Sequence, residues 1–189
     1  MGPSAPLPRW TGDARVTLKF KSFWIAFGGL FLVDQACKLW VVGHVVPGAQ
    51  QVLIGGLEPV LSVTHARNPG GAFGLLMDWP WAWRLGAFLA VATVACVAIW
   101  IFYRGMAPGE RFNAAALGLI LGGTVGNLVD RLTRGEVVDY LRLNLGGSGA
   151  WPDFNVADLG ILVGVAALIL ELLSLEGASR AGPPGGTDE

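Results

Sequence analysis

Four stretches of this chain are long and apolar enough to cross a bilayer, and this limits the fold more than any other feature. They run over residues 20–42, 85–103, 112–128 and 154–175. A span needs about 20 mostly apolar residues, and hydrocarbon offers no water to the backbone, so each stretch must be a helix. Composition agrees. Only 14% of the 189 residues are charged, where soluble domains carry about 25%, and 53% are hydrophobic. The net charge of −1 provides no electrostatic reason to expect a nucleic-acid partner. The first span contains Asp34 and Lys38, is longer than a signal-peptide core and lacks a small-residue cleavage site after it, so it is expected to be retained.

Orientation follows the basic residues of the short loops. Arg9, Arg15, Lys19, Lys21, Arg104, Arg111 and Arg180 put seven on one side; Arg67, Arg84, Arg131, Arg134 and Arg142 put five on the other. Both termini are therefore expected in the cytoplasm, with loops 43–84 and 129–153 facing outward. The first outer loop is patterned. Residues 51–54 and 60–65 read as short strands around Gly55-Gly56, and residues 137–143 as another. Trp79, Trp81 and Trp83 before the second span read as an interfacial anchor. The expected fold class is membrane α-helical: four transmembrane helices with a small extracytoplasmic β-sheet and loop region. Residues 1–19 form a cytoplasmic segment and 20–176 the membrane domain. The outer β-region falls at about 44–84 and 132–153. A Gly/Pro-rich tail at 177–189 is expected to be disordered.

The polar residues of the spans gather at one depth. Asp34 and Lys38 lie near the outer end of span one, Asn127, Asp130 and Arg131 at that of span three, and Asn155 and Asp158 at that of span four. Ionisable groups near hydrocarbon are costly and mark functional sites by default. Asp34 and Lys38 are four residues apart with the acid first, the favourable order for an ion pair on one helix face. Plainer readings compete. Lys38 can snorkel to the interface. Asn155 and Asp158 can form a helix cap with the acid in the first turn. Arg131 can be a topology signal, Asp130 a solvated end charge and Asp153 a loop or cap residue. Glu171 can reach the cytoplasmic interface. His44 and His65 stand without catalytic or ligand partners and read as structural. Cys37 and Cys96 lie in apolar stretches without a CxxC, and read as small core residues rather than a metal site or disulfide.

Capping does not account for Asp139, an acid interrupting the strand-like run Val137-Val138-Asp139-Tyr140-Leu141. The loop that follows can fold back and bring Asp139 to Asp158. Two carboxyls about 3 Å apart share a proton. One can then act as base on a water while the other protonates a substrate carbonyl. That chemistry needs no metal, serine, cysteine or cofactor. From the residues alone the chain reads as a membrane hydrolase with an aspartate pair. A transporter would place polar groups along a path through the bilayer, and a four-span assembly protein would leave the paired acids unexplained.

Five segments, in order over about residues 20–175, resemble the lipoprotein signal peptidase family, signal peptidase II, the membrane aspartic peptidases of bacteria. They are Val33-Asp34-Gln35-Ala36-Cys37-Lys38, Asn68-Pro69-Gly70-Gly71-Ala72-Phe73-Gly74, the run from Gly122 to Arg131, Val137-Val138-Asp139-Tyr140, and Phe154-Asn155-Val156-Ala157-Asp158. The resemblance implies that Asp139 and Asp158 are catalytic. It implies that Asn127, Arg131 and Asn155 order the pair and bind substrate backbone, that Asn68 contacts the peptide from the outer loop, and that Asp34 and Lys38 brace span one. It implies a diacylglyceryl-modified prolipoprotein substrate cut just before the lipidated cysteine, no cofactor, sensitivity to globomycin, and an inner-membrane location with the active site near the outer leaflet. Partners would be that substrate and membrane lipids, with the chain acting as a monomer. Two positions depart from the family. Cys37 stands where Ser or Thr is usual, weakening a hydroxyl hydrogen bond. Gly70-Gly71 stands for Gly-Ala, which should loosen the loop.

Overall fold

The computed structural model describes residues 12–51, 61–71, 74–144 and 151–180. Among these, the chain runs α1 (Gly12–His44), β1 (Gln50–Gln51), β2 (Leu61–Asn68), α2 (Trp81–Gly105), α3 (Arg111–Arg134), β3 (Val137–Leu143) and α4 (Val156–Arg180). All four helices are long and apolar enough to span a membrane. The chain is a multi-pass membrane protein.

Most boundaries differ from the sequence expectation in that the helices outrun their apolar cores, while α4 starts at Val156 rather than at 154. α1 starts at Gly12, inside the segment assigned to 1–19, and α4 continues to Arg180, so residues 177–180 are helical rather than tail. α3 carries Asp130, Arg131 and Arg134 in its last turns. Hydropathy ends where charge begins, but helical hydrogen bonding does not. Trp81 and Trp83 lie in the first turn of α2, still exposed like Trp79. The strand expected at 51–54 begins at Gln50; its remainder, the Gly55-Gly56 turn and the tail beyond residue 180 lie outside the described residues.

α3 is the most buried helix and packs against the other three. Its small residues allow this. A Cβ at Gly118 would sit 2.3 Å from the Phe23 carbonyl of α1, and one at Gly123 would sit 2.3 Å from the Ala157 carbonyl of α4. α2 lies at the edge and turns Val91, Val94, Val97 and Ile101 outward. Cys96 is exposed on this helix, so it is a lipid-facing residue rather than a core one; Cys37 is half-buried.

The apolar core has two parts. Phe23, Ile99, Ala114 and Leu117 pack at one end of the bundle. Val41, Val45, Val63, Val138 and Tyr140 pack at the other, where the antiparallel sheet β1-β2-β3 rests on the end of α1. Gly135 takes a left-handed φ of 79°, which ends α3 and turns the chain directly into β3. β3 pairs with β2 so that Ala66 faces Asp139 and Asn68 faces Val137, past an irregularity between Val63 and Ala66. Beyond residue 150 the chain returns to β3 through a bridge of Phe154 to Leu141. That return delivers the start of α4 beside Asp139.

Candidate active site

Asp139 comes from β3 and Asp158 from the first turn of α4. Both line a cavity of about 780 Å³ whose walls also include Asn68, Gly71, Gly74, Met77, Trp151 and Phe154. Asp139 is buried and Asp158 half-buried. Burial pushes the Asp139 carboxyl up to about 7, and the Asp158 charge adds to this; hydrogen bonds from Asn68 and Asn155 oppose it.

Asn155 contacts both carboxylates. Its Nδ2 donates to Asp139 Oδ1 at 2.7 Å, and its backbone N–H donates to Asp158 Oδ2 at 3.1 Å. Asn68 Nδ2 donates to Asp139 Oδ2 at 2.9 Å, and Asn127 Nδ2 to Asp158 Oδ1 at 2.8 Å. Each of the four carboxylate oxygens is held by an N–H.

The direction of these bonds is fixed by chemistry. An amide's two ends look alike in outline, but a partner that can only donate identifies the oxygen. Asn68 Oδ1 accepts from Gly70 N–H, Asn155 Oδ1 from Asp158 N–H, and Asn127 Oδ1 from the Lys38 ammonium. Their Nδ2 groups must therefore face the carboxylates.

Asn155 and Asp158 also form the cap that the spacing suggested. Asn155 Oδ1 takes the Asp158 N–H, and Asp158 Oδ2 takes the Asn155 N–H. One oxygen of Asp158 serves the helix and the other meets Asn127. Capping and placement beside Asp139 are one arrangement, not rival ones.

Lys38 does not snorkel. It is fully buried, and its three N–H donors go to Asp34 Oδ2 at 2.8 Å, Asp130 Oδ2 at 3.0 Å and Asn127 Oδ1 at 2.8 Å. Nor is Asp130 a solvated end charge. It is fully buried, pairs with Lys38 and Arg134, and accepts the Val138 N–H of β3. Sequence reading passed over this support residue. Its signal was the four-residue spacing to Arg134 at a point where α3 gives way to strand. Asp34 Oδ1 accepts the Ala157 N–H, so α1 caps α4 from outside. The cluster Asp34, Lys38, Asp130 and Arg134 balances its charges, which makes burial tolerable.

Arg131 lies within the field of Asp139 and Asp158 but directs its hydrogen bonds to backbone carbonyls, one of them at Asn127. It donates to the Gly70 carbonyl at 3.0 Å and lies 3.8 Å over the Phe88 ring. Gly70 itself has no room for a side chain, since a Cβ would meet the Leu75 carbonyl at 2.6 Å. Tyr140, next to Asp139, places its hydroxyl on the Val156 N–H at 3.3 Å; burial is the main cause of its raised pKa, with Cys37 beside it. His65 is buried, bonded to the Val45 carbonyl and to Arg67, and acts structurally.

Comparisons with known proteins identify relatives of this chain. A family model described as Signal peptidase (SPase) II matches residues 26–174. A lipoprotein signal peptidase of Geobacter metallireducens is 40% identical over 75% of this chain and 79% of its own length. One from Serratia proteamaculans is 39% identical over 75% and 80%, and one from Geobacillus kaustophilus 36% identical over 79% and 91%. Two solved structures share the fold, each described as a bacterial membrane enzyme structure by the in meso method. One has a TM-score of 0.71 at 23% identity, covering 96% of this chain and all of that one. The other has a TM-score of 0.65 at 26% identity, covering 87% and 95%.

Proposed function

The chain belongs to the signal peptidase II family, and from that premise we propose that it removes the signal peptide from diacylglyceryl-modified bacterial prolipoproteins, cutting just before the lipidated cysteine, with Asp139 and Asp158 as the reacting pair. It is a membrane peptidase. The observation that carries the assignment of residues is the meeting of two carboxylates from separate elements on one cavity wall, with every carboxylate oxygen held by a fixed donor.

The pair takes up one proton near neutral pH, and burial favours Asp139 as its carrier. The protonated carboxyl donates to the scissile carbonyl oxygen. The carboxylate takes a proton from a water whose oxygen attacks the carbonyl carbon. The tetrahedral diol then collapses, the C–N bond breaks, and a proton passes from the pair to the departing cysteine nitrogen. Asn155 keeps the carboxyls in register, Asn68 presents the outer loop to the peptide, and Asn127 passes the position of Lys38 to Asp158. Arg131 braces the loop through Gly70 and orders the peptide that runs beside it.

The enzyme sits in the cytoplasmic (inner) membrane with both termini in the cytoplasm and its cavity at the outer leaflet. It works as a monomer and is sensitive to globomycin. The test is cleavage of a diacylglyceryl-modified prolipoprotein by the purified protein, beside Asp139→Asn and Asp158→Asn. Folded but inactive variants support the pair; cleavage by either variant removes it.

A further inference from the structure

We propose that the ion pair of Arg142 and Asp153, at the rim of the cavity, is a positioning clip that sets the spacing of Asp139 and Asp158. The proposal rests on the reading of those aspartates as the reacting pair. Arg142 lies on β3, the strand of Asp139. Asp153 lies on the segment that leads into α4, two residues before Asn155. Arg142 Nε and Nη2 each approach one oxygen of Asp153 at 2.6 Å, a bidentate contact that fixes orientation as well as distance. Thr64 Oγ1 of β2 donates to the same carboxylate at 3.2 Å. Asp153 thus ties β2, β3 and the α4 lead-in together at one point, and both charged residues line the cavity that holds the aspartates.

The clip matters because of what else holds the lead-in. Tyr140 and Leu141 donate to the Phe154 carbonyl at 3.0 and 2.8 Å, and Phe154 donates back to Leu141 at 3.0 Å. Those bonds form a hinge along one edge of β3. Beyond it, Asn155, Val156 and Ala157 are anchored to Asn127, Tyr140 and Asp34. The part free to tilt is therefore the segment ahead of them, which the hinge holds along one edge. Asn155, which follows at once, is the bridge between the two carboxylates, so a tilt there opens the pair. A fork-to-carboxylate contact three residues from Asp139 on the same strand opposes that rotation. The Arg142 side chain is 35% exposed, so the pair adds little to global stability. Its effect should be local geometry, where a displacement of about 1 Å costs up to a hundredfold in rate.

The experiment compares Arg142→Leu, and Arg142→Asp combined with Asp153→Arg, with the parent enzyme on the lipidated prolipoprotein, with Asp139→Asn as the reference. The expected result for Arg142→Leu is a fall in kcat of about ten- to a hundredfold with KM within about twofold and little change in Tm. Its pH profile should also change. Asp139 faces Asn68, Asn155, Asp158, Lys38 and Arg131; none of these is removed, but an opened pair admits water, so the limb near neutral pH moves to lower pH. The exchanged pair should recover most of kcat. Arg142→Lys, which keeps the charge without the fork, should fall between the two and replaces the exchange if that variant does not fold. Parent-like kcat and pH limb in Arg142→Leu would overturn the clip, as would a change confined to KM, or failure of the folded exchange or of Arg142→Lys to improve on Leu. If Asp139→Asn is inactive while Arg142→Leu is parent-like, only the clip fails. If Asp139→Asn is active, the reading of the pair fails first.

Discussion

Asn155 makes four of the hydrogen bonds that hold the site, three through its side chain and one through its backbone. Its carbonyl caps α4, its amide N–H₂ reaches Asp139 and Asn127, and its backbone N–H holds Asp158. The arrangement leaves Asp139 buried, and burial has a thermodynamic consequence. Its folded pKa is raised to about 7, so the folded chain holds a proton that the unfolded chain releases near 4. The associated stability is present below the unfolded value and is lost as pH rises through about 7. Asp139→Asn removes the buried charge. Its Tm should therefore exceed that of the parent by more at about pH 8 than at about pH 5, while activity is lost. Equal differences at both pH values would remove burial as the cause. Lys38 predicts the opposite. Lys38→Met leaves Asp34 and Asp130 buried without their common cation, at a cost of about 3–5 kcal/mol. Thermal unfolding in detergent checks it, and an unchanged Tm means the cluster is not coupled to folding. Asp139 was legible in the sequence because an acid in an apolar strand has no plain explanation. The burial of Asp130 was not, because an acid at a helix end has several.

The element that organises the site is the start of α4. A helix start leaves four N–H groups without intrahelical partners. Here Asn155 N–H goes to Asp158, Val156 N–H to the Tyr140 hydroxyl, Ala157 N–H to Asp34 and Asp158 N–H to Asn155. Two of the partners are local and were readable from spacing. The other two come from α1 and β3, and nothing in spacing reports a contact between distant segments. The four spans were legible because hydrocarbon demands them; the helix extensions into charged sequence were not. β3 was found at residues 137–143 from β-branched and aromatic residues, while β2 runs past its apolar run to include Asn68. The close approach of α3 to this start gives an element-level prediction. A Cβ at Gly123 meets the Ala157 carbonyl at 2.3 Å, and backbone there cannot give without moving α4. Gly123→Ala should lower Tm and reduce cleavage together. Gly28→Ala, where nothing lies within 4 Å inside α1, should leave cleavage unchanged and not lower Tm. Gly71→Ala tests the opposite expectation. Its Cβ would rest at 3.6 Å from Leu75 and Phe88, ordinary contact, so the residue usual in the family fits. It should stabilise the protein by about 0.4–1 kcal/mol by restricting the unfolded chain. A lower Tm would mean that the loop needs the freedom of glycine.

At the scale of the molecule, charge and polarity are sorted along the bundle. The sheet, the cavity, the buried cluster and the exposed Trp79, Trp81 and Trp83 occupy the end where α1 finishes and α4 begins. The opposite end holds the short turn between α2 and α3. There Lys19 donates to the Met106 carbonyl at 2.7 Å and lies 4.6 Å over the Tyr103 ring, with Arg104 and Arg111 on either side of the turn. Four spans return the chain to the side it left, so the start of α1 and the end of α4 share this basic end. Basic residues near span ends are retained in the cytoplasm, and the proposed orientation, with the cavity outward, rests on this. The bias is small in number, seven against five, but the outer count includes Arg131 and Arg134, which the structure commits to the site. Arg131 braces Gly70 and Arg134 pairs with Asp130, so neither is free to act as a solvated topology signal. Setting Arg131 and Arg134 aside leaves seven against three. A fluorescent protein fused after Glu189 should therefore fluoresce, and alkaline phosphatase fused there should be inactive. Phosphatase fused after a truncation at Gly48 should be active, because that point follows α1. The reverse pattern would put the aspartates on the cytoplasmic face. A lipid-modified precursor exposes its scissile bond on the far side, so that outcome would sever the proposed chemistry from its substrate even if both carboxylates were intact.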